Sequence, residues 1–318
     1  MSYLIPETLL QWPWSRQQNV HDAEVGPEST LWIQSFNALD AKSQRAFDLC
    51  DFNELRSSCD MMHLFFMIDE LSDQETGPVV REQAASIMDA FRNPYAQRPA
   101  GESILGEISR QFWGRTLERA KPSALTQQRF IATFDAYTAA VATQANDRDA
   151  DFVRDIESYL AVRRNTIGTY PSFVFLELGM DLPEDVLEHS IIRDMQRYIS
   201  ELIAVSNDLY SYNIEQARGD SGHNVLTVAM HDLGTGLDGA IKWTGEYCDI
   251  LERKFKDAAN HLPSWGRGID EQVTHYVSGF GNWARANEVW SFETPRYFGK
   301  EGRAVQKNRM VILLPKRF

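Results

Sequence analysis

The sequence predicts an all-α protein. Apolar residues recur at three- and four-residue spacing through most of the chain, which places them on one face of a helix. The alternating pattern of a half-buried strand is largely missing, and clusters of proline and glycine interrupt the periodicity at intervals suited to helices. The chain shows neither internal repeats nor low-complexity stretches, so we expect a single domain over residues 1–318, with an irregular N-terminal segment at 1–27.

Two long helices are predicted in detail. Residues 60–75 should form a helix whose first half is strongly apolar and whose second half is acidic. A helix that is apolar on all sides is buried, so its acidic end should open into a cavity rather than onto bulk solvent. Residues 191–217 should form one helix that ends at Gly219, because glycine suits the left-handed turn after a helix.

A break is predicted in a third helix, which carries Arg163 and Arg164. Gly168 and Pro171 interrupt its pattern, and the helical spacing resumes after them. Backbone carbonyls that lose their helical donors at such a break can line a site. We therefore expect irregular backbone close to these two arginines.

The net charge of the chain restricts the classes of ligand. A formal charge of -13 argues against nucleic-acid binding, which needs clustered lysine and arginine on one surface. It is compatible with a phosphorylated small molecule, because divalent cations can stand between that anion and a carboxylate-rich pocket.

The cysteines and the apolar runs indicate the compartment. The three cysteines, Cys50, Cys59 and Cys248, suit neither a disulfide framework nor a metal site, so we expect buried thiols in a reducing compartment. We see no secretion signal, and the longest apolar runs fall short of the roughly 20 residues that cross a bilayer. The sequence therefore predicts a cytoplasmic protein without a membrane span.

Two rows of oxygen-bearing side chains are the candidate metal sites. In the acidic row, Asp69 and Asp73 lie four residues apart with Glu70 beside them, so a helix would present the two aspartates on one face. Such hard oxygen ligands suit Mg²⁺, although a solvated acidic helix end would also explain this row.

The second row is formed by Asn207, Ser211 and Glu215, and we call it the Asn-Ser-Glu row. Their four-residue spacing aligns an amide oxygen, a hydroxyl and a carboxylate along two turns of one helix. Exposed polar residues on a charged helix surface are the alternative. Two independent rows of this kind on separate helices favour metal binding over chance.

Together with a late Arg296-Tyr297 pair, the two rows resemble the signature of microbial class I terpene synthases. Two stretches are especially similar to fungal sesquiterpene synthases of the mushroom type: 211–220 and 290–299. The motifs follow the family's order over most of the chain. The resemblance implies a helical bundle around a central active-site cavity, and an enzyme that ionises farnesyl diphosphate, or also geranyl diphosphate, and releases diphosphate with a sesquiterpene hydrocarbon or terpene alcohol.

The resemblance also implies roles for individual residues. Asp69 would be the leading metal ligand of the acidic row, and the Asn-Ser-Glu row would hold another of three expected Mg²⁺ ions. Arg296 and Tyr297 would bind the diphosphate, and so would an arginine some forty residues before Asn207. Arg163 and Arg164 lie 44 and 43 residues before it, so both remain candidates.

Aromatic side chains are candidates for the walls of the cavity. Aromatic faces stabilise a passing carbocation, and apolar walls exclude the water that would quench it. The candidates are Phe65, Phe66, Phe91 and Trp290. For each of them alone, ordinary core packing is the alternative.

Several alternatives remain open in the sequence. An acyclic alcohol such as linalool or nerolidol would form if water reached the cation early. A chain-lengthening prenyl transferase shares the helical architecture, but it resembles a pair of matching aspartate-rich motifs, and the second position here is the Asn-Ser-Glu row. A non-catalytic isoprenoid-binding protein is a third alternative. The identity of the product is left open, and the protein is expected to be a monomer or a homodimer.

Overall fold

A computed structural model describes residues 2–16, 22–40, 44 and 56–316. Helices dominate these residues, which confirms the all-α prediction. The chain forms two compact units. Unit 1 comprises Met1–Gln17, Ala150–Ile167 and Met180–Phe318, and unit 2 comprises Gln18–Asp149 and Gly168–Gly179. The expectation of a single domain stays a prediction.

Helices of very different length follow one another along the described chain, and a pair of short strands accompanies them. The helices are α1 (Asp22–Gln34), α2 (Arg56–Ser72), α3 (Gly77–Arg92), α4 (Ile104–Ala120), α5 (Ala124–Asp149), α6 (Ile156–Thr166), α7 (Thr169–Phe175), α8 (Glu184–Leu187), α9 (Ser190–Arg218), α10 (Val225–Asp232), α11 (Leu237–Asn260), α12 (Arg267–Glu293), α13 (Pro295–Phe298) and α14 (Gly302–Asn308). Short 3-10 turns lie at Ser221–His223 and Gly299–Glu301. Two strands, β1 (Ser2–Leu4) and β2 (Met310–Ile312), pair antiparallel in unit 1.

Aromatic rings from α3, α4 and α5 form much of the core of unit 2. The Phe91 ring meets the Phe134 ring edge-on at 4.7 Å between centroids. Trp113 stacks on Phe130 at 4.4 Å. All four side chains are buried, and pairs of this geometry add roughly 0.5–1.5 kcal/mol each beyond the area that they bury.

A buried polar cluster joins α1 to α2 in unit 2. The Ser29 hydroxyl donates to Asp60 Oδ1 at 2.5 Å and lies 2.9 Å from His63 Nδ1. Arg115 Nη2 donates to the other Asp60 oxygen at 2.7 Å. Ser29, Asp60 and His63 are each at most 2% exposed, so His63 is a hydrogen-bonded core histidine.

Helix α9 is the longest element of unit 1, and its predicted end is confirmed. It closes at Gly219, whose φ of 88° lies in the left-handed region. The Gly219 N–H donates to the Glu215 carbonyl at 2.9 Å, which satisfies one of the carbonyls left without a helical donor.

The predicted helix break lies at Gly168, between α6 and α7. Its φ of 74° is left-handed, and a Cβ at this position would lie 3.2 Å from the Phe65 ring of the same unit, so only glycine fits. Pro171 does not break the helix, because it lies in the first turn of α7, where the backbone N–H groups have no helical acceptor. The Gly168 carbonyl accepts from the Ser172 hydroxyl at 2.8 Å.

The N-terminal segment is more regular than the sequence predicts. Within residues 1–27, expected to be irregular, Ser2–Leu4 form β1 and α1 begins at Asp22. The Leu9 N–H donates to Glu252 Oε1 at 2.7 Å, and the Trp12 ring N–H donates to the Gly281 carbonyl at 2.9 Å. These partners lie more than 240 residues away, so no local pattern could reveal them.

The cysteines agree with the prediction where they are described. Cys59 and Cys248 are fully buried, and burial raises the pKa of the Cys248 thiol. Cys50 lies outside the described residues. In the part of the chain that the structure describes, every helix is either too short or too polar to cross a bilayer.

Candidate functional site

The acidic row lies at the C-terminal end of α2, in unit 2. The helix ends at Ser72, three residues earlier than predicted, and Asp73 follows it. The Asp73 N–H still donates to the Asp69 carbonyl at 3.0 Å, so these two residues keep helical spacing. Asp69 and Glu70 are partly buried, whereas Asp73 is exposed. Asp69 is thus the better shielded of the two aspartates.

Arg148 on α5 fixes this end of α2. Its Nη2 donates to the carbonyls of Ser72 and Glu75 at 2.8 and 2.7 Å. Its Nη1 lies 3.8 Å from Asp73 Oδ1. A cation at a helix C-terminus satisfies free carbonyls and the helix dipole, so Arg148 stabilises the segment that carries the acidic row. We did not predict this role, because Arg148 lies 76 residues from Ser72.

The Asn-Ser-Glu row lies on α9, in unit 1, and its first residue joins two other predicted site residues. Asn207 Oδ1 accepts from Arg163 Nη2 at 2.9 Å. Asn207 Nδ2 donates to the Tyr297 hydroxyl at 2.9 Å. Because a guanidinium only donates, the oxygen of the Asn207 amide must face Arg163. One side chain therefore links the row to the arginine and tyrosine candidates.

Asp208 holds Arg163 in this position. Its Oδ1 accepts from Arg163 Nε at 3.0 Å and from Nη2 at 2.8 Å. Its Oδ2 accepts from the Tyr159 hydroxyl and from the Val225 N–H, the latter at 2.9 Å. Asp208 is 1% exposed, so it is a buried carboxylate with both oxygens hydrogen-bonded. Asp208 belongs to the sequence pattern, but it was not among our predicted site residues.

Burial and the adjacent Asp208 carboxylate set the charge states of Arg163 and Tyr159. Burial acts to lower the pKa of Arg163, but the adjacent Asp208 carboxylate outweighs it, and the pKa is raised. Burial raises the pKa of Tyr159, and the Asp208 charge raises it further. Arg163 therefore stays charged, and Tyr159 stays a protonated donor to Asp208.

Arg164 points to different partners. Its Nη1 donates to Glu201 Oε1 at 2.9 Å, and its Nε donates to the Leu160 carbonyl at 3.0 Å. The second Glu201 oxygen accepts from the Tyr247 hydroxyl at 2.6 Å. The structure therefore brings Arg163, and not Arg164, to the Asn-Ser-Glu row.

Asn224 organises the other end of the row. Its Nδ2 donates to Glu215 Oε2 at 2.8 Å and to the Asp208 carbonyl at 3.0 Å, and it lies 3.4 Å from the Ser211 hydroxyl oxygen. Its Oδ1 caps α10 by accepting from the Leu226 N–H at 2.9 Å. Asn224 is fully buried, so α9 and α10 hold the Glu215 carboxylate in a fixed direction.

The donor set of the Asn-Ser-Glu row fits a hard divalent cation. Asn207 Oδ1 and Glu215 Oε2 already face N–H donors, and Ser211 is buried between them. Burial raises the pKa of Glu215 to about 7, and the charge of Asp208 adds to the shift. A cation would relieve this unfavourable charge. Among residues 2–16, 22–40, 44 and 56–316, no three His, Cys, Asp or Glu side chains form a group that could hold a metal ion.

The Arg296-Tyr297 pair forms α13, directly after α12. The Thr294 hydroxyl caps this short helix by accepting from the Arg296 N–H at 3.3 Å. Tyr297 is buried, and its ring meets the Trp290 ring edge-on at 5.8 Å. Arg296 is partly buried. The tyrosine of the pair is thus fixed by Asn207 and Trp290.

The remaining aromatic candidates lie in unit 2. Phe91 is 1% exposed and packs among four other aromatic rings. Phe65 stacks on Phe134 at 5.4 Å and lies under Gly168 at the helix break. Phe66 is partly buried. The cavity role of Phe65, Phe66, Phe91 and Trp290 stays a prediction.

Comparisons with known proteins decide the family. Residues 60–254 match the family described as terpene synthase family 2, C-terminal metal binding. This range contains the acidic row, Arg163 and the Asn-Ser-Glu row. The chain belongs to the terpene synthase family. It is therefore an enzyme that acts on an isoprenyl diphosphate as a carbon–oxygen lyase, and it uses a divalent metal.

Relatives and solved structures agree with this membership. A Delta(6)-protoilludene synthase of Armillaria gallica is 48% identical over 98% of this chain and 94% of its own length. A sesquiterpene synthase of Postia placenta is 43% identical over 99% and 93%. The linalool/nerolidol synthase of Streptomyces clavuligerus, solved with 2-fluorogeranyl diphosphate, has a TM-score of 0.78 at 18% identity and covers 90% of this chain and 99% of its own. At that identity the likeness shows the fold alone, which is the class I terpene synthase fold.

The raised pKa of Glu215 predicts a pH dependence of metal affinity in this terpene synthase. Below pH 7 the Glu215 carboxyl of the metal-free enzyme holds a proton, which a bound cation must displace. The apparent affinity for Mg²⁺ should fall about tenfold per pH unit below pH 7 and level off above it. Isothermal titration calorimetry with Mg²⁺ between pH 5.5 and 8.5 measures this apparent affinity. Glu215→Gln should bind weakly at every pH, and a pH-independent affinity in the unaltered enzyme would contradict the assignment.

Proposed function

We propose that this terpene synthase ionises farnesyl diphosphate and releases a sesquiterpene together with diphosphate. The observation that carries the proposal is the position of Asn207, whose side chain hydrogen-bonds both the Arg163 guanidinium and the Tyr297 hydroxyl. Such a group suits an anionic leaving group. The relatives named sesquiterpene synthase and Delta(6)-protoilludene synthase support a fifteen-carbon product, and Delta(6)-protoilludene is the product that we propose.

The proposed metal is Mg²⁺, bound as three ions. Asn207, Ser211 and Glu215 would hold one ion through their side-chain oxygens, and Asp69 would be the leading ligand of the acidic row. Asp73 would assist, as would Glu70. The bound ions supply positive charge that stabilises the departing diphosphate. The two rows belong to different units, and their action on a single diphosphate stays a prediction.

The basic side chains act on the leaving group directly. The guanidinium of Arg163 already donates from Nε and Nη2 to Asp208 and Asn207, and the Asp208 carboxylate keeps it charged and oriented. Nη1, which lies 3.3 Å from the Thr166 hydroxyl, would be the nitrogen that donates to a phosphate oxygen. Arg296 would add a second guanidinium, and the Tyr297 hydroxyl would donate to the diphosphate while its oxygen accepts from Asn207. Donors placed in advance where charge develops lower the barrier because they need no reorganisation.

The organic part of the substrate needs a dry surface. After ionisation the allylic cation is quenched by any water that reaches it, so apolar and aromatic side chains must surround it. We propose Phe65, Phe66 and Trp290 for this role. Access of water would give an acyclic alcohol such as nerolidol instead of a cyclic hydrocarbon.

Product analysis with three substrates tests the proposal. Purified enzyme is incubated with geranyl, farnesyl or geranylgeranyl diphosphate, with and without Mg²⁺, and volatiles are identified by gas chromatography and mass spectrometry. We expect a cyclic sesquiterpene from farnesyl diphosphate, only with Mg²⁺ and with release of diphosphate. An acyclic alcohol as the main product would contradict the cyclisation. A longer diphosphate formed with isopentenyl diphosphate would indicate a transferase, and the absence of any product would indicate a binding protein.

Location and assembly stay predictions. We propose a cytoplasmic enzyme that is a monomer or a homodimer. Fluorescence microscopy of a tagged chain tests the first part, and light scattering of the purified enzyme tests the second.

A further inference from the structure

The last described residues bind along α9, the helix that carries the Asn-Ser-Glu row. Asn213 Nδ2 donates to the Ile312 carbonyl, and Asn213 Oδ1 accepts from the Leu314 N–H, both at 2.9 Å. Gln216 Nε2 donates to the Leu314 carbonyl at 2.9 Å. The Asn213 amide therefore pairs with the tail backbone as a neighbouring strand would, and both helix residues are buried.

The other edge of this tail is occupied as well. β2 pairs with β1, so that Tyr3 lies opposite Val311, and the Ile5 N–H donates to the Arg309 carbonyl at 2.9 Å. Val311 is 2% exposed. The tail is thus fixed between the N-terminal strand and α9, although a two-stranded sheet alone would be marginally stable.

The chain before the tail contacts α9 at a second point. Tyr297 accepts a hydrogen bond from Asn207, which lies six residues before Asn213 on the same helix, or about 9 Å along its axis. The segment from Tyr297 to Leu314, which contains α14 and β2, is therefore attached to α9 at both ends. A segment held at both ends has fewer conformations. Fixing it at Leu314 therefore lowers the entropic cost of placing Tyr297 at its other end.

We propose that Asn213 and Gln216 are positioning residues, which hold the C-terminal tail so that Arg296 and Tyr297 are in place for the diphosphate. The inference rests on the proposed function, because it assigns diphosphate binding to that pair. The two amides act through the tail and do not touch the substrate.

Binding of inorganic diphosphate in the presence of MgCl₂, measured by isothermal titration, tests this role. Asn213→Ala combined with Gln216→Ala removes the three hydrogen bonds to the tail and should weaken diphosphate binding at least about fivefold. The matched control is Gln272→Ala, which removes an amide that accepts from the distant Asp181 N–H at 2.6 Å. The control should change the affinity less than twofold.

A double-mutant cycle separates positioning from general stabilisation. In a Tyr297→Phe background, which lacks the hydroxyl that accepts from Asn207, the Asn213→Ala and Gln216→Ala pair should weaken diphosphate binding less than it does in the unaltered enzyme, because only the Arg296 contact remains to be lost. Additive losses would overturn the proposal. So would a lower melting temperature without any change in affinity.

A second variant leaves α9 intact. Leu314→Pro deletes the N–H that donates to Asn213 and should weaken diphosphate binding in the same direction. Unchanged diphosphate binding in both variants would overturn this inference and would leave the proposed function unaffected. If the unaltered enzyme failed to bind diphosphate with Mg²⁺, the proposed function itself would fail.

Discussion

Replacing Asn207 with alanine should lower kcat at least about 10³-fold, which corresponds to roughly 4 kcal/mol of lost transition-state stabilisation. The change removes a proposed metal ligand and, in addition, the hydrogen bonds to Arg163 and Tyr297. Released diphosphate and volatile products measure the effect, and circular dichroism should show unchanged helical content. Asp69→Ala should cause a loss of similar size through the acidic row.

The matched control is Asn165→Ala. The Asn165 amide, also in unit 1, donates to the Ala161 carbonyl of its own helix at 3.3 Å. Its removal should change kcat less than about threefold, because exposed hydrogen bonds contribute little. Full activity in both the Asn207 and the Asp69 variants would remove the metal assignment.

The two adjacent arginines should differ sharply when each is replaced by lysine. Arg163→Lys should lower kcat about 10- to 100-fold, because an ammonium cannot reproduce the planar fork that donates twice to Asp208 Oδ1 and once to Asn207 Oδ1. Arg164→Lys should change kcat less than about threefold and should mainly lower the melting temperature, because its partner Glu201 is buried. Lysine is preferred to alanine, since alanine would leave a buried carboxylate unpaired.

Single-turnover kinetics and thermal melts separate the two outcomes. If Arg163 binds the phosphate oxygens, inorganic diphosphate should bind more weakly to Arg163→Lys and with unchanged affinity to Arg164→Lys. A larger loss of turnover in the Arg164 variant would reverse the assignment of the diphosphate arginine.

The elements with a strong local pattern could be predicted from the sequence. The periodicity of α9 and the glycine at 219 predicted a long helix and its end, and both are confirmed. The break at Gly168 was predicted for the same reason, since glycine is a local signal. Both candidate rows depend on helical spacing alone, and the backbone keeps that spacing, although Asp73 follows the end of α2.

The partners of those rows could not be predicted. Asp208 binds Tyr159 from 49 residues away, and Arg148 binds the end of α2 from 76 residues away. Leu9 and Trp12 bond to helix residues more than 240 positions later. Such pairs are brought together by tertiary packing, and no residue type or spacing near them indicates the partner. The same limit applies to Arg163 and Arg164, which spacing alone could not distinguish.

Anomalous diffraction from crystals grown with Mn²⁺ and diphosphate should locate the metal ions, because Mn²⁺ replaces Mg²⁺ and is visible by its anomalous signal. We expect one ion bound by Asn207, Ser211 and Glu215, and at least one more bound by Asp69, with the same diphosphate bound to both. Anomalous peaks that avoid the Asn-Ser-Glu row, or a diphosphate bound without contact to Arg163, would contradict it.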